Sequence, residues 1–344
     1  MRLKYIDSAK GFAMLLIVWG HTVTFSDPVS QWGSAFKISL FYIITGLLLS
    51  MRAEDGKIRK TPVKKLLLSM GIPYAFYSAL SLLASAVIMS AQNRGIDFLI
   101  DKILLTVTLN GVSTLWFLPS IFFGRLISER VLCRRIPLTV KTVAAVAIPI
   151  LLVLSAEFIP EIGLHKAVQS VLTVILKVFV AFWFIGVGFE AGKSRQGNSI
   201  NQALISMVLL ICGSVVAFLN RGVDLNNGLF GSRPLLFFLS GVLCSFGIIG
   251  IFAFLCEKLP CKLTAFVGKN SLFVMVTHLP LYIVPIVSVL VSKFITAEGI
   301  AYNYMRAIVV FLFVLIIEWV LISVKNNITA RVKNKQVCEF LKYI

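Results

Sequence analysis

The sequence predicts an all-α, polytopic membrane protein with about ten transmembrane helices and with both termini on the cytoplasmic side. Three observations support this prediction. Apolar residues make up 58% of the 344 residues and charged residues only 14%. The mean hydropathy is +0.92. The apolar residues form long runs that Lys and Arg flank rather than interrupt. One soluble core cannot bury so much apolar surface, whereas a bilayer accommodates it.

Ten runs are long and apolar enough to be considered as spans, because a helix needs roughly 20 mostly apolar residues to cross the hydrocarbon core. They are continuously apolar rather than alternating, which excludes the strands of a transmembrane barrel. The first resembles a signal peptide, but it contains His21 and no small-residue cleavage site follows, so we expect a retained helix. The runs lie near residues 11–26, 35–51, 66–90, 113–129, 142–159, 168–190, 201–219, 233–255, 266–291 and 304–324.

The distribution of basic residues orients this predicted bundle. If all ten runs cross, 24 of the 33 Lys and Arg residues fall on one side, which the positive-inside rule identifies as cytoplasmic. Topology therefore explains the net charge of +18, and no nucleic-acid partner is expected. The six cysteines lie in the membrane or on the inner side, so we expect no disulfides, and their spacing does not predict a metal site.

The first predicted helix carries Asp7, Lys10 and His21. Eleven residues of an α-helix make about three full turns and rise about 16 Å, so Lys10 and His21 share one face. Asp7 lies three positions before Lys10 and can pair with it. Lys10 then lies at the inner interface and His21 at membrane depth, where an ionisable group indicates function and an imidazole can act as a general base. A histidine that only hydrogen-bonds a neighbouring helix is the alternative.

The same residues carry a resemblance to a known family. Residues 5–11, followed by Val18-Trp19-Gly20-His21, resemble the opening of the membrane acyltransferase family 3. The signature of that family is a basic residue, ten others and then His. Lys10 stands here in place of the commoner Arg, which keeps the charge but removes bidentate binding.

Later motifs follow in the order of that family. Residues 41–46 resemble its aromatic–Ser–Gly stretch, with Thr45 in place of Ser, and residues 115–118 resemble its Trp–Phe–Leu motif. Residues 268–272 with His278 resemble its Gly-x-Asn-Ser-Leu…His stretch, and they are most similar to the branch identified as sugar O-acetylases. The resemblance covers roughly residues 5 to 320.

The resemblance implies an enzyme that transfers an acyl group, expected to be acetyl, from acyl-CoA to a sugar hydroxyl of a surface polysaccharide or its lipid-linked precursor. In this interpretation His21 is the general base or a transient acyl carrier, Lys10 stabilises the charge of the donor, and Asp7 orients Lys10. Acetyl-CoA is then a substrate, and no bound cofactor or metal is expected. The expected location is the bacterial cytoplasmic (inner) membrane, with lipids, acyl-CoA and a carbohydrate acceptor as partners.

Further residues are expected to bind the donor or the acceptor. The resemblance assigns Asn270, Ser271 and His278 to the acyl pocket and gives Trp116 a role in binding donor or acceptor. The alternatives are a packing role for His278 beside Pro280 and an interfacial position for Trp116. Lys64 and Lys65 belong to a dense basic cluster that can attract CoA phosphates, although topology and anionic lipid also account for such a cluster. Arg125 and Glu129 are spaced i,i+4, which predicts a structural ion pair.

Two other functions are compatible with a polytopic bundle. A transporter or flippase of a glycan or small solute would act without CoA, but Glu318 is the one carboxylate well inside a predicted span, and ion-coupled carriers place such groups at mid-membrane. In a non-catalytic partner of a glycan assembly complex, His21 would be dispensable. In the acyltransferase interpretation, residues 1–324 form the membrane acyltransferase domain and residues 325–344 a basic cytoplasmic tail.

Overall fold

The computed structural model describes residues 3–54, 57–58, 60–134, 136–161, 165–193 and 200–332. These residues fold into helices and two short antiparallel hairpins. The helices are α1 (Lys4–Thr22), α2 (Pro28–Ser34), α3 (Lys37–Ser50), α4 (Val63–Leu66), α5 (Ile72–Ala91), α6 (Asp97–Val107), α7 (Phe117–Val131), α8 (Leu138–Glu161), α9 (Lys166–Gly192), α10 (Ile200–Leu219), α11 (Pro234–Lys258), α12 (Lys262–Lys269), α13 (Ser271–Thr277), α14 (Ile283–Phe294) and α15 (Ile300–Arg331). The hairpins pair β1 (Ala53–Glu54) with β2 (Lys57–Ile58) and β3 (Val223–Asp224) with β4 (Leu229–Phe230).

Among the described residues, seven helical segments are long and apolar enough to cross a bilayer, which confirms the predicted all-α polytopic membrane protein. They are Pro28–Ser50, Val63–Ala91, Leu138–Ile159, Lys166–Gly192, Asn201–Leu219, Pro234–Lys258 and Ile300–Arg331. The total of ten spans and the cytoplasmic placement of both termini stay predictions.

The first, fourth and ninth predicted runs are not among these seven, and each has a physical reason. α1 is continuous but carries three charged residues in its N-terminal half. The fourth run starts as a 3-10 turn at Ser113, whose φ is +59°, before α7 begins. The ninth is interrupted at Asn270 and at Tyr282, whose φ of +60° cannot continue a right-handed helix. Such interruptions are tolerated in membrane proteins where the backbone is enclosed by the bundle.

Glycines allow α1 to cross α12 at backbone contact. A Cβ at Gly11 would collide with the carbonyl of Thr264, and a Cβ at Gly268 would collide with the carbonyl of Asp7. Small residues permit this close approach, and helix association in lipid depends on such packing. The crossing fixes the helix that carries Lys10 and His21 against the interrupted segment that ends at His278.

The core of the bundle lies around α1, α3 and α9, where Met14, Tyr42 and Phe184 are fully buried. The outer helices instead expose large apolar side chains, such as Leu204 on α10 and Phe313 on α15. Exposed apolar surface of this extent is typical of contact with lipid. The first helix is therefore an internal element of the bundle rather than a peripheral anchor.

Candidate active site

The pair predicted on the first helix lies on one uninterrupted helix. α1 contains both Lys10 and His21, so the two residues lie about 16 Å apart along its axis. His21 lies in the last turn of α1, and its side chain is exposed, whereas Lys10 is half-buried. The exposed imidazole is accessible to a substrate.

A second histidine lies beside His21. The ring centroids of His21 and His278 are 5.5 Å apart, and their planes are inclined at 41°. His278 directly follows α13 and is fully buried. Its Nδ1 donates to the carbonyl of Val274, since a carbonyl oxygen can only accept. The neutral ring therefore carries its lone pair on Nε2, and this buried atom has no hydrogen-bond partner in the part of the chain that the structure describes.

A lysine that the sequence analysis missed completes this group. Lys37 is the first residue of α3 and is half-buried. Its Nζ lies only 2.9 Å from the position that a Cβ on Gly20 would occupy, so the ammonium lies against the backbone next to His21. Its charge acts on both His21 and His278. The sequence contained one signal for Lys37: it begins an apolar run on the predicted outer side, where the positive-inside rule makes a lysine unusual.

The end of α1 is held in place by a buried carboxylate. Asp27 accepts hydrogen bonds from Trp19 Nε1 at 2.9 Å, from the backbone of Ser30 at 2.7 Å and from the Tyr304 hydroxyl at 3.0 Å. Burial raises the pKa of Asp27, but the hydrogen bonds from Trp19, Ser30 and Tyr304 outweigh it and hold the pKa below its ordinary value. Asp27 thus links α1, α2 and α15 around His21 while it stays ionised.

A cavity of about 340 Å³ lies at the Lys10 end of the site. Three cations from separate segments line it, namely Lys10, Arg52 and Arg125. Thr45 and Ser271 add hydroxyl groups, and no Asp or Glu occurs among the described residues that line it. A wall that combines these cations with apolar side chains is suited to an anionic ligand with an apolar portion.

The predicted ion pair between Arg125 and Glu129 is confirmed, with 2.8 Å between Arg125 Nε and Glu129 Oε1. Glu129 also accepts hydrogen bonds from the backbone and the hydroxyl of Thr61, at 2.7 and 2.9 Å. The carboxylate is almost fully buried, so these donors are needed to stabilise its charge. The pair holds Arg125 in position at the cavity wall.

The structure places the other predicted residues near α12 and α1. Ser271 lines the cavity, whereas the adjacent Asn270 uses its side-chain amide to donate to the carbonyl of Phe266 at 2.9 Å. Asp7 lies in the first turn of α1 and is half-buried. Ser271 is therefore brought together with Lys10, while Asn270 supports the break between α12 and α13.

Lys64 and Lys65 lie apart from this group. Both are exposed on the short helix α4, and neither is among the residues that line the cavity. A π-helical turn at Leu67–Gly71 follows α4 and leads into Pro73 on α5. Proline has no backbone N–H to donate to a regular helical hydrogen bond, and the irregular turn lies directly before it.

Trp116 contacts a buried lysine instead of His21. The Nζ of Lys177 lies 4.6 Å from the centroid of the Trp116 ring, and it donates to Asn110 Oδ1 at 2.6 Å and to Asn226 Oδ1 at 3.3 Å. Lys177 is 1% exposed, so these partners compensate for its desolvation. A lysine in the middle of an apolar run is the sequence signal for such a cluster.

The carboxylate of Glu318 supports the segment next to His278. The hydroxyl of Thr277 lies 2.8 and 2.9 Å from the two carboxylate oxygens of Glu318, and both residues are buried. Because Thr277 directly precedes His278, this contact ties α15 to the end of α13.

These features define an all-α membrane protein with a pair of adjacent histidines at one end of its first helix and a cation-lined cavity at the other. The chain belongs to acyltransferase family 3, because the model of that family, described as an acyltransferase domain, matches residues 3–324. This confirms the resemblance found in the sequence and makes the chain a membrane acyltransferase. No curated protein and no solved structure matches it. The described residues contain no group of three His, Cys, Asp or Glu side chains that could hold a metal ion.

Proposed function

We propose that this protein transfers an acyl group, expected to be acetyl, from acyl-CoA to a sugar hydroxyl of a surface polysaccharide or its lipid-linked precursor, in the bacterial cytoplasmic membrane. The observation that carries the proposal is the arrangement on α1, which joins a cation-lined cavity at Lys10 to an exposed imidazole at His21. A donor that enters from the cytoplasm and an acceptor on the opposite side then meet along one helix. Family membership favours acyl transfer over transport.

The cavity at Lys10 supports the donor half of this proposal. CoA carries phosphates, which Arg52 binds through planar, paired donors and Lys10 through a point charge. Arg125, whose Nε and Nη2 donate to Glu129 and Thr61, contributes its charge and its remaining N–H groups. The pantetheine arm then extends along α1 to bring the thioester to His21, about 16 Å away. Asp7 keeps its proposed role of orienting Lys10. The exposed Lys64 and Lys65 act earlier, because surface cations raise the local concentration of an anionic donor.

The chemistry at His21 is a general-base acyl transfer. The imidazole takes the proton of the sugar hydroxyl, the hydroxyl oxygen bonds to the thioester carbonyl carbon, and the carbonyl π electrons move onto the carbonyl oxygen. The carbonyl then re-forms, the carbon–sulfur bond breaks, and the CoA thiolate takes the proton from His21. The lone pair on His278 Nε2 is available to accept a hydrogen bond from a neighbouring hydroxyl of the bound sugar.

A transient acyl carrier is the other role for His21. In that case the imidazole attacks the thioester directly, and CoA leaves as the thiolate and takes the ring N–H proton. The sugar oxygen then bonds to the acyl carbon, the carbon–nitrogen bond to the ring breaks, and the hydroxyl proton returns to the imidazole. Mass spectrometry of the protein after incubation with acetyl-CoA and no acceptor distinguishes the roles, because only the carrier mechanism adds an acetyl group to His21.

The direct test supplies purified protein or membranes with labelled acetyl-CoA and host glycan, and counts the label on the glycan. His21→Ala is expected to lower transfer by about 10²- to 10⁴-fold. The matched control is His165→Ala, since His165 is exposed and its side chain accepts a hydrogen bond from the backbone of Ala167 at the start of α9. Undiminished transfer by His21→Ala contradicts the mechanism, and glycan or solute movement without dependence on CoA contradicts the function.

A further inference from the structure

Among the residues that the structure describes, Lys37 is a cation at the reaction centre without a hydrogen-bond or ion-pair partner. Burial and the distant charge of Asp224 are the influences on its half-buried ammonium, and no hydrogen bond joins it to another described residue. The charge of Asp224 acts on it, but the carboxylate of Asp224 is engaged by the backbone of Asn226 at 3.0 Å and the side chain of Asn227 at 2.7 Å. A lysine held for packing alone is expected to have a partner, because an unpaired ammonium is costly to desolvate.

The proposed reaction requires a cation at this place. When the sugar oxygen attacks the thioester, negative charge develops on the carbonyl oxygen, and a preorganised donor aimed at that oxygen is a large contribution to acyl-transfer rates. Lys10 cannot supply it, since it lies about 16 Å along α1 from His21. Lys177 cannot supply it either, because it is 1% exposed and holds Asn110 and Asn226.

We infer that Lys37 is a catalytic residue that binds the carbonyl oxygen of the thioester and stabilises its negative charge in the tetrahedral intermediate. Its Nζ lies beside the backbone of Gly20, the residue before His21, and its charge acts on both histidines. The start of α3, where Lys37 lies, adds the positive end of a helix dipole. This inference rests on the proposed function.

Gly20 provides a test that leaves the charge in place. A Cβ at residue 20 would come within 2.9 Å of Lys37 Nζ, which is the mobile end of a side chain and must therefore move away. Gly20→Ala also favours the helix, so α1 is expected to fold. Turnover should fall roughly tenfold or more, because small displacements of catalytic groups have large effects on rate. The control is Gly186→Ala, which places its Cβ in open space and should leave turnover unchanged.

Substitution of Lys37 itself completes the test. Lys37→Ala should lower turnover by about 10²- to 10³-fold with little change in the KM for acetyl-CoA. Lys37→Arg should retain a substantial part of the rate, and added ethylammonium should restore part of the rate of Lys37→Ala. Each variant is first compared with wild type for its melting temperature in detergent. If Lys37→Ala does not fold, Gly20→Ala and Lys37→Arg still decide the question.

The outcomes separate the two proposals. Loss of transfer in His21→Ala together with full turnover in folded Lys37→Ala or Gly20→Ala overturns the role of Lys37 and leaves the proposed function standing. A loss in Lys37→Ala that ethylammonium does not restore, with full activity in Gly20→Ala, assigns Lys37 a structural role and overturns the inference. Full transfer in His21→Ala contradicts the proposed mechanism itself, and with it the role of Lys37 that rests on it.

Discussion

The imidazole rings of His21 and His278 lie 5.5 Å apart between centroids, although one ends the first helix and the other follows α13. The two rings differ in access, since His21 is exposed and His278 is fully buried. An exposed ring can exchange protons with a substrate, whereas a buried ring with one nitrogen fixed on the Val274 carbonyl can only orient what lies next to it. We therefore assign the proton transfer to His21 and the positioning to His278.

Replacement of His278 should reduce turnover more than donor binding. His278→Gln keeps a donor for the Val274 carbonyl but removes the ring lone pair at Nε2, so we expect at least a roughly tenfold fall in kcat with an unchanged KM for acetyl-CoA. The measurement is steady-state transfer at varied acetyl-CoA, with melting temperature as the control for folding. A folded His278→Gln protein with wild-type kcat contradicts this assignment.

The cavity cations should control the affinity for the donor. Lys10→Met and Arg52→Met are expected to raise the KM for acetyl-CoA, because each removes a charge-assisted contact with phosphate. If the replaced side chain binds the 3′-phosphate of CoA, the variant should also discriminate less between acetyl-CoA and 3′-dephospho-acetyl-CoA. The exposed Lys64→Met and Lys65→Met should have smaller effects, which disappear at high salt.

Arg125 is a less suitable probe of the cavity, because its loss leaves the buried Glu129 without its cation. Arg94→Met serves as the control, since Arg94 is exposed and stacks on Phe98 away from the cavity. Equal KM values in Lys10→Met, Arg52→Met and Arg94→Met are incompatible with donor binding at this cavity.

Glu318 and Thr277 should behave as a coupled pair. Thr277→Val removes the hydroxyl that contacts the buried carboxyl group, and Glu318→Gln replaces that carboxyl group with an amide, so each should lower the free energy of unfolding by about 1–3 kcal/mol. The free energy of unfolding should fall less in the double variant than the sum of the falls in the two single variants, because both substitutions remove the same contact. Titration with denaturing detergent measures these values, and strict additivity rules out the coupling.

The close crossing of α1 and α12 should tolerate no added methyl group. Gly11→Ala forces a Cβ into the Thr264 carbonyl, and backbone cannot move away as a flexible side chain can. We expect a loss of at least about 1–3 kcal/mol in stability, seen as a lower melting temperature in detergent. Gly186→Ala is again the comparison, and equal melting temperatures for the two variants would show that the helices do not cross at Gly11 as described.

The relation between Lys10 and His21 was predictable because it depends on local geometry alone. Once residues 4–22 form a helix, the eleven-residue spacing determines the shared face and the separation. The motif with His278 was also found, but its distance from His21 was not, because it depends on packing between distant segments. The role of Ser271 at a cavity became visible only when α1, α3, α7 and α13 were assembled.

Lys37 was missed for the same reason. In the sequence it is one basic residue before an apolar run, and only the crossing of α1 with α3 brings its ammonium beside Gly20. The fourth and ninth runs were predicted as single spans because hydropathy does not register backbone conformation. Ser113 and Tyr282 have positive φ values, which interrupt a right-handed helix although the surrounding residues of each run are apolar.

The central claim, that His21 performs acyl transfer to a surface glycan, is tested most directly by mass spectrometry of that glycan in the cell. Host cells that lack the gene would be complemented with wild type, His21→Ala or His165→Ala, each shown to be present in the membrane at equal amounts. The account predicts that wild type and His165→Ala restore the mass of one acetyl group per modified sugar, and that His21→Ala does not. An acetylated glycan in cells with His21→Ala, or an identical glycan with and without the gene, would contradict it.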